Sequence, residues 1–152
     1  MNQLLFNWLL PCVYAFLACV GFCFIFNIHG PGGLLCALGG MLTWAVYLLT
    51  LYLTKNDIAA YFWGTIFASL YAEIMARIRK CPAISYLVIS AFPLIPGAGV
   101  YYTMTFAVRG EMDLFASQGM HTLAIASVMA VGILLTSTLV RMLSPRIHRK
   151  IQ

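Results

Sequence analysis

Charge is scarce in this sequence. Only 9% of its 152 residues are Asp, Glu, Lys or Arg, against 62% hydrophobic residues, and the mean hydropathy is +0.92. Soluble domains carry charge on about a quarter of their residues, so a water-soluble fold is excluded and no stretch is left over for a soluble domain. The signatures of several chemistries are also missing. There is no C-x-x-C, no H-x-x-x-H, no G-x-S-x-G and no cluster of acids. A membrane enzyme acting on lipid would need a nucleophile with its base, or a metal, near the interface. The expectation is therefore a chain with no catalytic residue, no metal site and no cofactor.

The cysteines and the net charge of +5 also have plain explanations. Cys12, Cys19, Cys23, Cys36 and Cys81 lie in or beside apolar runs, where cysteine serves as a small packing residue. The basic residues sit at the ends of apolar runs and form no free patch, which points to membrane topology and excludes nucleic acid as a partner.

Long apolar runs are what the sequence does contain. A helix needs roughly 20 apolar residues to cross about 30 Å of hydrocarbon. Runs of that kind cover residues 4–26, 34–54, 58–77, 83–108 and 120–143. This predicts an all-α integral membrane protein, a single transmembrane domain over 1–152 with about five transmembrane helices. The amino-terminal region has no Lys or Arg, and its first run is too long for a signal-peptide core, so it reads as a retained span. Short links at 27–33, 55–57, 79–82 and 109–119 make neighbouring spans antiparallel. Arg77, Arg79, Lys80, Arg141, Arg146, Arg149 and Lys150 fall on one side, and only Lys55 and Arg109 on the other. The basic side is expected to be cytoplasmic, with the amino terminus outside and the tail 144–150 inside. A re-entrant 34–54 run would move only the amino terminus.

Small residues give two further stripes. Gly33, Cys36, Ala37, Gly39, Gly40 and Thr43 should let a neighbour approach the second run closely. Ala126 and Ala130, with Ser127, Thr136, Ser137 and Thr138, mark the fifth run, where hydroxyls can bond to carbonyls of their own helix. Trp8, Trp44 and Trp63 read as lipid-facing or packing residues.

The fourth run is the anomaly. Pro93, Pro96, Gly97 and Gly99 fall near its middle, so it is expected to be broken over 93–99. Freed backbone groups inside a membrane must be packed by protein or face a watery cavity. A second half-helix starting near Gly97 would turn its first N–H groups, with their partial positive charge, inward near the bilayer centre, a geometry that suits a carboxylate. The expected substrate-binding residues are Pro96, Gly97, Ala98, Gly99, Tyr101, Tyr102 and Thr103, with Thr105 a further hydroxyl. A proline kink relieved by neighbouring helices is the plainer reading, and the tyrosines can equally be interfacial anchors.

Glu73 and Arg77, spaced i,i+4 with the acid first, are expected to pair on one helix face, either as a structural ion pair or in ion coupling or gating. Asn27 and His29 can close a gate or cap helices, and His121 reads as an exposed residue at the outer start of the fifth run.

LIPGAGVYYTM, together with the upstream AEIMARIRKCP, resembles the C-terminal module of the threonine/serine exporter family, over nearly the whole chain. Pro96, Gly97, Ala98, Gly99, Glu73 and Arg77 match the family pattern, which marks a module without assigning ligands. The resemblance implies the short, all-membrane half of a split two-component exporter in the bacterial cytoplasmic membrane. It would be a secondary transporter of small hydroxy amino acids, or of a dicarboxylate such as succinate, driven by an ion gradient. It also implies a companion membrane subunit with its own spans. Self-association is left open, as is a scaffold that only docks the companion. Threonine and succinate share a carboxylate; the second recognising group would be an acid for an ammonium or a cation for a second carboxylate.

Overall fold

The computed structural model describes residues 2–28 and 30–143, so His29 and the basic tail lie outside the described residues. Among those residues the chain is helical with no strand. It forms α1 (Asn2–Ile25), α2 (Pro31–Thr54), α3 (Asp57–Arg79), α4 (Ala83–Ala91), a 3-10 turn (Phe92–Leu94), α5 (Gly97–Arg109) and α6 (Met112–Leu143). Four helices are long and apolar enough to cross a membrane, and α4 with its 3-10 turn and α5 form a bent pair that brings the number to five when counted as one broken span.

Local chemistry sets the ends of these helices. Gly30 takes a positive φ of 75° ahead of Pro31, which opens α2 with the φ that proline prefers. Lys55 closes α2 in the left-handed region, and the Asn56 side chain accepts from the Ala59 N–H to start α3. Lys80 is also left-handed, with its N–H on the Ala76 carbonyl. Gly110 ends α5 with its N–H on the Ala107 and Phe106 carbonyls, and Glu111 N–H also reaches Phe106. That compact cap lets α6 begin at Met112, well before the expected residue 120. The expected loop 109–119 is therefore mostly helix.

Close approach of small residues holds the centre together. Gly33, Cys36, Ala37, Gly39, Gly40 and Thr43 are all buried on α2, as the stripe predicted. The thiols of Cys19 and Cys23 donate to the carbonyls of Ile89 (3.4 Å) and Gly33 (3.3 Å), inside a cluster with Ala72, Tyr86 and Ile89. A second cluster joins Tyr47, Ala60, Leu94, Ile125 and Met129. The small stripe read on α6 is corrected: Ala126, Ser127 and Ala130 are exposed, and the buried face is Thr122, Ile125, Met129, Gly132 and Thr136. A helix that is apolar all round gives no amphipathic signal to choose a face. Its hydroxyls do bond within the helix, Ser127 to Leu123 (2.8 Å) and Thr136 to Gly132 (2.9 Å).

Three contacts fix the register of α3 and α6. Asp57 lies by His121, Thr65 by Gly132 and Arg77 by Val140, so the two helices run parallel. Met112 to Met120 of α6 extend past the start of α3. There they pair with α5, which packs on α6 alone.

Candidate functional site

The break between α4 and α5 follows from the two prolines of the fourth run. Phe92 N–H falls back on Ile89 O, and Pro93 has no N–H to offer. Ile95, the residue before Pro96, is driven to ψ 123°, out of helical geometry, although its N–H still reaches Phe92 O (3.1 Å). The chain turns at Pro96 and re-enters helix at Gly97, with the two halves bent by 55°.

The start of α5 carries the consequence. Gly97 N–H closes on Ile95 O (2.7 Å), and Val100 N–H makes the first helical bond, to Pro96 O (3.1 Å). Ala98 and Gly99 N–H have no acceptor among the described residues, and no side chain caps the helix. Gly97 and Ala98 are exposed, while Pro96 and Gly99 are half-buried. Gly99 lies against Thr122 of α6, and the next α5–α6 contact is between Thr103 and Gly119.

The remaining expected site residues fall in two places. Thr103 gives its hydroxyl proton to Gly99 O (2.7 Å). Tyr101 and Tyr102 are exposed and meet edge to face at 5.5 Å. Glu73 and Arg77 lie at the other end of α3. Arg77 is level with Val140 and Gly99 with Thr122, eighteen residues or roughly 27 Å apart along α6. The expected Glu73–Arg77 ion pair is not formed: the only acid–base contact among the described residues is Asp57 with His121. Arg77 instead donates from Nη2 to Val140 O (3.4 Å), a carbonyl of the last turn of α6, where orphan acceptors and partial negative charge favour a cation.

The start of α5 is also nearer one end of the bundle than the expected midplane. Leu94 packs on Gly64, two turns into α3, and Thr122 adjoins His121, which faces Asp57 at the first turn of α3. That juxtaposition supplies a group the sequence reading missed. Asp57 Oδ1 accepts the Tyr47 hydroxyl (2.7 Å), and Oδ2 stands 3.8 Å from His121 Nε2. Asp57 had read as one residue of a short polar loop, and His121 as an exposed helix end. Nothing along the chain links two positions sixty-four residues apart until α3 and α6 are known to be parallel neighbours.

No metal-binding group of His, Cys, Asp or Glu occurs among the described residues. A small apolar cleft of about 120 Å³, between Cys23, Phe24 and Leu34 at the α1–α2 turn, lies a full length of α2 away from Asp57.

Discontinuous helices of this kind recur in secondary transporters. Residues 11–139 match the family described as Threonine/Serine exporter, ThrE. The chain belongs to the threonine/serine exporter family. No curated protein and no solved structure matches it. Membership makes this a transport protein of the membrane, and the exporter family is a family of transporters, not enzymes. In this exporter chain the family match takes in α3, the whole bent pair and α6 as far as residue 139.

Proposed function

We propose that this chain is the membrane subunit of a secondary exporter of small carboxylate-bearing metabolites, threonine and serine foremost. It works with a companion membrane subunit in the bacterial cytoplasmic membrane, with its basic end cytoplasmic and the α2–α3 turn outside. The observation that carries this reading is the pair of unpaired amides, Ala98 and Gly99, where the broken span of an exporter-family chain resumes. Two N–H groups at a helix start bind a carboxylate through hydrogen bonds and the helix dipole together. Pro96, Gly97, Tyr101, Tyr102 and Thr103 border that position. Glu73 and Arg77, at the cytoplasmic end, are assigned to ion coupling or gating.

Reconstitution tests the two-component reading. Vesicles loaded with threonine, serine or succinate are prepared with this chain alone, with the companion alone and with both. Efflux of threonine and serine is expected only from vesicles holding both. Equal efflux from the companion alone would reduce this chain to a docking scaffold.

A further inference from the structure

We propose that Asp57, His121 and Tyr47 form a binding site for a primary ammonium group, which holds the α-amino end of the exported amino acid. The proposal rests on the exporter reading and deepens it, because it selects a zwitterionic amino acid over a dicarboxylate.

Three helices build the site. Tyr47 comes from α2, Asp57 from the first turn of α3 and His121 from α6. The Tyr47 side chain is buried, its ring set between Trp44 and Tyr61 with centroids 4.9 Å from each. Its hydroxyl donates to Asp57 Oδ1 at 2.7 Å and so fixes the plane of the carboxylate. Oδ2 then points toward His121 Nε2 at 3.8 Å. That separation is too long for a direct hydrogen bond. It suits a shared donor placed between them, and an ammonium with its three hydrogens can serve a carboxylate oxygen and a neutral imidazole nitrogen at once.

Charge and access agree with this assignment. No Lys or Arg lies within ion-pair distance of Asp57 among the described residues, so its carboxylate has no fixed cation. The side chains of Asp57 and His121 are 38% and 47% exposed, open enough for a solute to reach. A carboxylate that merely stabilised the start of α3 through the helix dipole would need neither the buried tyrosine nor the histidine. The neighbouring donors complete the fit. His121 is followed by Thr122, on which Gly99 packs, so the acceptors and the open amides of α5 stand at the same level of α6. An α-amino acid carries ammonium and carboxylate on one carbon, so it needs acceptors and donors at one level of the bundle. A dicarboxylate would bring its second negative charge against Asp57.

The test separates the ammonium from the carboxylate. Trp44 stacks on Tyr47, so tryptophan fluorescence of the purified full chain reports occupancy. The probes are L-threonine methyl ester, which has the ammonium but no carboxylate, and 3-hydroxybutyrate, which has the carboxylate but no ammonium. The ester is expected to bind saturably, and Asp57→Asn to raise its Kd at least tenfold while leaving the Kd of 3-hydroxybutyrate unchanged. Tyr47→Phe, which keeps the charge but frees the carboxylate, should raise the ester Kd severalfold, and it decides the matter if Asp57→Asn does not fold. Absence of ester binding, an unchanged ester Kd in the folded variant, or equal loss of both probes would overturn the assignment. Failure of the exporter reading would look different: ester binding would persist while reconstituted vesicles showed no flux.

Discussion

Gly97→Leu should leave the chain folded and inserted yet sharply reduce export. A Cβ added at Gly97 meets nothing within 4 Å, and the residue does not occupy the left-handed region. Leucine is also the better helix former, by somewhat under about 1 kcal/mol, so the start of α5 should hold at least as well. What changes is the space over the Ala98 and Gly99 amides, which an isobutyl group would occupy in place of a carboxylate. Threonine efflux per folded protein should fall by roughly tenfold or more, equivalent to about 1.4 kcal/mol. Gly99→Ala separates this effect from packing. Its Cβ would lie 2.6 Å from Thr122 Oγ1, so either α5 or the Thr122 side chain, which is bonded to Gln118 O, must shift. Overpacking of that kind costs about 1–3 kcal/mol, and a lower thermal midpoint is expected. A Gly97→Leu variant that exports at the wild-type rate would remove the carboxylate from the start of α5.

Gly39→Val should have the largest effect on the fold itself. The first added carbon would overlap Ser90 Oγ and the Tyr71 ring, and the ring is held in place. Ser90 is fully buried on α4, and Tyr71 is tethered by its hydroxyl to Leu35 O at 2.7 Å. Its neighbour Gly40 faces Cys19 and the Ile89 carbonyl, so α2 cannot escape by rotating. The expected loss is about 3 kcal/mol or more, the upper end for forced overpacking. It should appear as aggregation in size-exclusion chromatography. Gly21→Ala is the control, since nothing lies within 4 Å of its added carbon. A monodisperse Gly39→Val protein with an unchanged thermal midpoint would contradict the close approach of α2 to α3 and α4.

The contrast between Pro11 and the Pro93–Pro96 pair explains how much of the fold was legible. Pro11 lies inside α1, which continues through it. A lone proline costs a helix one bond, and neighbours absorb the bend. Two prolines three residues apart, with glycines after them, leave no register in which a helix can continue, so the break could be read without coordinates. The long runs were legible for the same kind of reason, because membrane thickness imposes their length. Where α6 begins was not: Met112 to Gly119 looks polar and loop-like, yet capping at Gly110 starts the helix early. The Glu73–Arg77 pair was read from helical spacing alone, while a carbonyl on α6 competed for the guanidinium. The Asp57–His121 contact was out of reach in principle, because it depends on a helix pairing that uniformly apolar surfaces do not encode.

The most direct measurement concerns whether the broken span opens to water and to solute. Ala98→Cys, in a chain with Cys12 and Cys81 changed to serine, places a thiol at the exposed start of α5, while Cys19, Cys23 and Cys36 stay buried. In membrane vesicles this thiol should react with a charged, membrane-impermeant thiosulfonate, and L-threonine should slow the reaction severalfold. Labelling only by a lipid-soluble maleimide, with no protection by threonine, would place the break against acyl chains and contradict the account.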